Sequence, residues 1–379
     1  MTRGAAIAGA VLLAAAAAWT GAAGAAPPPG VGAPPPRASA PAQRPGAGAP
    51  AGDDGLANLW RDLADAIDRA VAERTRRPPV PVAVTWRERK VGSIDLGAPL
   101  LALAAADLDA DGRAELVALT DRELVVLALP GKGVVARGRA PLGGEPPAIR
   151  PRDPVGQLVV DRRGGEVVLW ARSSEVADAV GMVWREGGLQ VIGRQAGFPL
   201  CPGGAAELVP GRNYFDGTTA AWQAGAPPGA PLELPATFFS AGCRSAVDPA
   251  GRPLSLSAVV DVDRVLQVRC RGEAGGACGP GPAQDRVYQG VGVAFELADI
   301  DSDGHPEVVT TRGGAPGDLD RVTVWSLKGG SVVKAFARDF HAGVAGVAAA
   351  DVDGDRDLDL VVAVRFAGST NVSFWTLNA

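Results

Sequence analysis

The sequence predicts an all-β fold, a β-propeller of about six blades over residues 80–379, preceded by an N-terminal amphipathic helix. Short β-branched runs separated by Gly-rich turns fill the chain after Val80. An acidic loop with apolar flanks recurs, beginning at Asp107, Asp299 and Asp351. Tryptophans recur at matched places in strand-like runs, as expected of stacked blades: Val183-Trp184 before Gly187-Gly188, Val324-Trp325 before Gly329-Gly330, Phe374-Trp375 and Thr85-Trp86.

The first residues read as an address. Arg3 supplies a positive start, Ala5 to Ala18 an apolar stretch and Ala23-Gly24-Ala25 a small-residue cleavage site, so residues 1–25 are expected to be a signal peptide. The apolar run is mostly Ala and Gly and ends at Pro27, which argues against a transmembrane span in the mature chain. Export to the periplasm, the cell surface or the medium follows from that reading. Residues 26–52 are almost all Pro, Ala and Gly, a composition expected to form a disordered linker. Over residues 53–79, Asp53 and Asp54 offer helix caps, Leu56, Leu59, Trp60, Leu63, Ile67 and Val71 recur at helical spacing, and Pro78-Pro79 ends the run.

Composition limits the partners. With 51 Gly and 32 Pro but 47% apolar residues, the chain is turn-rich and still able to bury a core. A net charge of −5 speaks against nucleic acid, whose binding needs a basic face. The four cysteines, Cys201, Cys243, Cys270 and Cys278, favour disulfides in an exported chain, and no CxxC spacing points to zinc or thiol chemistry. Of the three pairings open to them, Cys270–Cys278 with Cys201–Cys243 is the expected one.

The spacing of the acidic loops sets the blade count. Asp351 follows Asp299 by 52 residues, and Asp299 follows Asp107 by 192, which divides into four units of 48 and leads to six blades, with five to seven accommodated. One unmarked blade is legible in Gly156–Val160, Glu166–Trp170, Gly181–Trp184 and Leu189–Ile192. The chain ends directly after the strand Val372–Leu377, so the last blade lacks an outer strand unless Lys90–Leu96 supplies it.

The loops carry the chemistry. Carboxylates at alternate positions of a tight turn converge on one point, and a hard cation such as calcium takes six to eight oxygens there. The first loop offers Asp107, Asp109, Asp111 and Glu115 with the carbonyl of Arg113. The second offers Asp299, Asp301, Asp303 and Glu307 with the carbonyl of His305. The third offers Asp351, Asp353, Asp355 and Asp359 with the carbonyl of Asp357. Two or three Ca2+ ions are expected. Gly112 and Gly304 stand where the turn favours positive φ. Arg356 stands there in the third loop, which is expected to be the weakest binder or differently turned. An EF-hand would need a bidentate carboxylate at position 12 between helices, but that position is Ala118, Thr310 or Val362 in strand-like flanks.

Strand, D-x-D-x-D-G-x-x-[DE], strand resembles the FG-GAP/VCBS repeat found in integrin α-subunit propellers and in many exported bacterial proteins. The resemblance covers Pro99–Val117, Gly292–Val309 and Gly343–Val362. It implies a propeller whose loops between the first two strands of the marked blades are stiffened by calcium, and it implies no single activity.

His305 and His341 are the only imidazoles, and no G-x-S-x-G, H-E-x-x-H or phosphate-loop motif is present. The chain is therefore expected to be an exported, non-enzymatic binding or scaffold module with a protein or glycan ligand. The alternative is a carbohydrate-active enzyme or lectin-like sugar binder built on the propeller face.

Overall fold

The structure, a computed structural model, describes residues 81–378 apart from 132, 148, 151–153, 164, 202–205, 211–216, 222–234, 236, 273–282, 314–318 and 327–331. The expected signal peptide, linker and amphipathic helix lie outside the described residues. Within these, all regular structure is β, and no helix is long and apolar enough to cross a membrane.

Four-stranded antiparallel meanders are the repeating unit. Blade I is β2 (Ala102–Ala106), β3 (Glu115–Leu119), β4 (Glu123–Ala128) and β5 (Val135–Pro141). Blade II is β6 (Gly156–Arg163), β7 (Glu166–Ser173), β8 (Ala179–Arg185) and β9 (Gly188–Gln195), the unit legible in the sequence. Blade III is β13 (Phe238–Val247), β14 (Pro253–Asp261), β15 (Val265–Arg271) and β16 (Ala283–Gln289). Blade IV is β17 (Val291–Ala298), β18 (Glu307–Arg312), β19 (Asp320–Ser326) and β20 (Val333–Phe340). Blade V takes β21 (Gly343–Ala350), β22 (Asp359–Arg365) and β23 (Asn371–Asn378) from the end of the chain. Its outer strand, β1 (Arg87–Asp95), comes from the beginning.

The first strands of the blades line the ring. β2 packs on β6, β6 on β13, β13 on β17, β17 on β21 and β21 on β2, so the ring closes with five blades. That number lies within the range read from the sequence. The spacing estimate of six counted one unit too many, because the stretch between blades II and III holds an insertion. This is a three-stranded sheet of β10 (Phe198–Pro199), β11 (Ala206–Pro210) and β12 (Gly217–Ala221), which packs through β10 on β7 while β6 still meets β13. A disulfide between Cys201, just after β10, and Cys243 on β13 fastens the insertion to blade III. Cys270 is also disulfide-bonded, and Cys278, the partner expected for it, lies outside the described residues.

Strand periodicity explains the core. In β3 all five residues are buried, and alternate side chains serve opposite neighbours. Leu116 and Ala118 join Val361 and Phe374 against blade V, whereas Val117 and Leu119 join Leu169 and Met182 against blade II. Five apolar clusters fill the five interfaces between blades. Trp184, Trp325 and Trp375 all lie on the third strand of their blades. Trp86 departs from the expected pattern: it precedes β1 with φ 52° and stacks on Phe336 of β20 at 4.9 Å.

Candidate metal centre

Each acidic loop joins the first and second strands of its blade: Asp107–Glu115 in blade I, Asp299–Glu307 in blade IV and Asp351–Asp359 in blade V. Blades IV, V and I are consecutive around the ring, and the loops of V and I touch, the N–H of Ala114 donating to the carbonyl of Asp351 at 2.7 Å. The loop of blade IV instead meets blade III, with Gly304 packed against Asp248 and Pro249. Val82 also donates to the carbonyl of Asp301 at 2.7 Å, so the chain just before β1 braces that loop.

The three loops share one turn. Positions four and six have positive φ throughout: Ala110 (60°) and Gly112 (90°), Ser302 (51°) and Gly304 (82°), Gly354 (88°) and Arg356 (78°). The third loop is therefore not differently turned, as its Arg356 had suggested. It exchanges the two sites, with glycine at position four and the larger residue at six, so each loop carries one non-glycine residue in the left-handed region.

The same four backbone hydrogen bonds organise each loop. The N–H at position six donates to the first aspartate: Gly112 to Asp107 (3.1 Å), Gly304 to Asp299 (2.9 Å) and Arg356 to Asp351 (2.9 Å). The N–H at position seven donates to the fifth: Arg113 to Asp111 (2.8 Å), His305 to Asp303 (2.8 Å) and Asp357 to Asp355 (2.9 Å). Asp111, Asp303 and Asp355 donate their own N–H to Asp109, Asp301 and Asp353. The closing carboxylate accepts from position two, Leu108 to Glu115, Ile300 to Glu307 and Val352 to Asp359. The carboxylates thus spend oxygens on holding the turn, both of them in Asp299 and in Asp351.

Three of the four expected carboxylates converge in each loop. Ligand oxygens of Asp107, Asp109 and Glu115 lie within 4.8 Å of one another, as do those of Asp299, Asp301 and Asp303, and of Asp351, Asp353 and Asp355. Asp111, Glu307 and Asp359 stand outside these groups of three, and Arg113, His305 and Asp357 give their N–H groups to the turn. Two carboxylate oxygens, Oδ1 of Asp107 and Oε1 of Glu307, are buried without a hydrogen-bond partner, an arrangement costly for an anion unless a cation faces it.

Electrostatics sharpens the point. Burial, and then the charges of Asp301, Asp299 and Asp303, push Glu307 up to about 8. Burial with the loop's other aspartates pushes Asp359 up to about 7. Asp299 is raised by burial first. In blade I, sequence reasoning missed Arg137 of β5, which donates to Asp109 at 2.7 Å and to Glu115. That guanidinium is raised chiefly by its bond to Asp109, while burial still leaves Glu115 raised. No signal near the loop could reveal it, since 22 residues separate Arg137 from Glu115.

A ring of antiparallel meanders with an acidic turn between the first two strands of three blades defines a β-propeller of the loop-bearing class. The family model described as the FG-GAP-like repeat matches residues 299–362, which span the loops of blades IV and V. This match and the five-bladed ring both support a relationship to the FG-GAP β-propellers. No curated protein matches the chain. Among solved structures, the PQQ-bound aldose sugar dehydrogenase of Streptomyces coelicolor is similar at 12% identity over 78% of this chain and 99% of its own, with TM-score 0.41. The apo soluble aldose sugar dehydrogenase of Escherichia coli is similar at 13% identity over 77% and 99%, TM-score 0.42. AofleA of Arthrobotrys oligospora is similar at 12% over 75% and 84%, TM-score 0.43. No functional reading rests on these three likenesses.

Proposed function

We propose that the chain is an exported calcium-binding propeller that serves as a binding or scaffold module at the cell envelope or outside the cell. The observation that carries the metal half of this reading is the set of three loops with one φ pattern, each with three convergent carboxylates, two of the loops retaining a buried carboxylate oxygen with no partner. The oxygen-only donor set and the open, irregular turn suit calcium better than magnesium, which demands a tighter octahedron. In loop IV the donors are Asp299, Asp301, Asp303 and Glu307 with the carbonyl of His305. In loop V they are Asp351, Asp353, Asp355 and Asp359 with the carbonyl of Asp357. In loop I, Asp107, Asp109, Asp111, Glu115 and the carbonyl of Arg113 form the same set, but Arg137 already neutralises part of it. Export is supported by the Cys201–Cys243 disulfide and the leader-like start of the sequence. Elemental analysis of the purified protein together with calcium titration by calorimetry tests the proposal. Two tight sites, with or without a weaker third, are expected, and absence of any calcium-dependent heat refutes it.

The lectin-like alternative is favoured by one feature. The ring encloses a cavity of about 810 Å³ along its axis, a size that suits a small ligand.

A further inference from the structure

The central cavity is polarised along its axis. The first strands run in step: the loop ends of β2 and β21 meet at Ala114 and Asp351, and the starts of β6 and β2 meet where Gly156 packs on Leu101. Asp107 and Asp351 of the acidic loops therefore line one end. Three arginines line the other, while Arg162, near the end of β6, lines the acidic end. Arg365, the last residue of β22, pairs with Gly343 at the start of β21, and Arg312 of β18 pairs with Val291 at the start of β17. The carbonyl of Arg264 accepts from Val291, which sets it at that same end. All three arginines line the cavity.

Among the described residues, Arg365 has no anion to answer it. Its Nε is buried without a partner, and it makes no salt bridge among the described residues. Burial alone lowers its pKa, with no carboxylate opposing the shift. Asp320, a described acid at this end, is engaged with the N–H groups of Arg312, Arg321 and Val344. A guanidinium half withdrawn from water with no counter-ion is costly unless a ligand supplies the charge.

Gln157 stands at the same end, as the second residue of β6, and also lines the cavity. It is 4% exposed, and both its amide nitrogen and its amide oxygen lack a hydrogen-bond partner. An amide with an unfilled donor and an unfilled acceptor is answered by hydroxyl groups, which both give and take. A planar guanidinium fork is answered best by a planar carboxylate.

From this geometry we infer that the arginine end of the central cavity binds a sugar acid, a small polyhydroxylated carboxylate, with Arg365 holding the carboxylate and Gln157 the hydroxyls. The site is independent of the acidic loops, which lie at the other end.

Calorimetry on the full chain in excess calcium, with D-glucuronate as probe and D-glucose and inorganic sulfate as comparisons, tests the assignment. D-glucuronate is expected to bind, and to bind more tightly than either comparison. Arg365→Met should weaken it about tenfold or more, and Gln157→Leu about threefold to tenfold. Arg365→Met should melt no lower than the unaltered chain, because no described residue loses a partner. A purely structural arginine would show the reverse, a lower melting point with binding unchanged, and that result overturns the proposal. So does absence of D-glucuronate binding to the unaltered chain, or sulfate or glucose binding as tightly. Should Arg365→Met fail to fold, Gln157→Leu decides alone, and unchanged D-glucuronate affinity there counts against the site.

Discussion

Arg137 of β5 donates a single guanidinium nitrogen to both Asp109 and Glu115, so the acidic loop of blade I already contains a cation. Arg137 occupies the residue skipped where β5 shifts register against β4. The same irregularity recurs on other outer strands, where the skipped residues are Val91 on β1, Ile192 on β9 and Ala335 on β20. Only blade I places a charge there. Calcium must displace or share with Arg137 in loop I. Arg137→Ala is therefore expected to tighten calcium binding at loop I and to destabilise the calcium-free protein, since it leaves Glu115 buried and unpaired. Titration should show an added or tighter site. An unchanged isotherm would mean that loop I is filled regardless of Arg137, or never filled.

Metal and stability should move together. The unfolded chain cannot hold the carboxylates converged, so calcium binds the native state selectively. Free calcium at 100 times its dissociation constant is expected to add about 2.7 kcal/mol for one site. Melting temperature should rise with calcium, fall with chelator and respond weakly to magnesium. Asp301→Asn with Asp303→Asn should remove much of the gain. The matching pair, Asp353→Asn with Asp355→Asn, should remove a comparable share, because the two loops share the same turn and four of their backbone hydrogen bonds. Identical melting curves in chelator and in calcium would reduce the loops to acidic turns.

The shared turn also sets backbone effects. Arg356 holds φ 78° and Ala110 φ 60°, conformations that glycine adopts more cheaply. Arg356→Gly and Ala110→Gly are each expected to stabilise the protein, by about 1 kcal/mol at most. Gly304→Ala should do the opposite. Its φ is 82° and an added Cβ would sit 2.5 Å from the backbone nitrogen of Pro249. Chemical denaturation of the three variants checks the order.

Asp320 gives a pH dependence unconnected with metal. Burial raises its carboxyl above its ordinary value of 3.8 despite three N–H donors. A raised folded-state pKa means that folding takes up a proton. The stability this group contributes is therefore full below the unfolded value and lost as pH rises through the folded one. Asp320→Asn should flatten the fall in stability above about pH 4. A slope equal to that of the unaltered chain would assign the pH dependence elsewhere.

Much of this was legible in the sequence because it is local. The D-x-D-x-D pattern compresses a site into nine residues, and blade II announces itself by turn glycines between β-branched runs. What was not legible depends on contacts between distant segments. The insertion around Phe198–Ala221 has the same strand rhythm as a blade and differs only in that β6 and β13 close the ring without it. Arg137, Arg365 and Gln157 look like ordinary strand residues. Their meaning arises from a guanidinium beside a loop in one case, and from two unanswered polar groups at one end of a cavity in the other. Arg356 misled because the rule applied to it considered position six alone, while the turn has two left-handed positions and glycine can occupy either.

Ring closure supplies the last test. β1 pairs with β23 along its length, from Arg87 opposite Asn378 to Asp95 opposite Asn371, and without it β23 would be an open edge on blade V. The strand also joins blade V to blade I. Leu96 donates to the carbonyl of Thr370, the carbonyl of Val91 accepts from Gly133, and Arg139 of β5 donates to the carbonyl of Leu96 at 3.0 Å. Val91 and Leu96 are buried in the cluster that holds Leu103 and Phe374. Gly92 faces Gly133 so closely that a Cβ would lie 2.8 Å from its Cα, which leaves no room for a side chain there. Deleting residues 80–97 is therefore expected to unfold or aggregate the propeller, and Gly92→Val to lower its melting temperature without abolishing the fold. Deleting residues 26–51, outside the described ring, should leave melting unchanged. Thermal melts of the three chains decide the matter. If the chain lacking residues 80–97 melts like the full one, β1 is an accessory strand and the ring holds by packing of its inner strands alone.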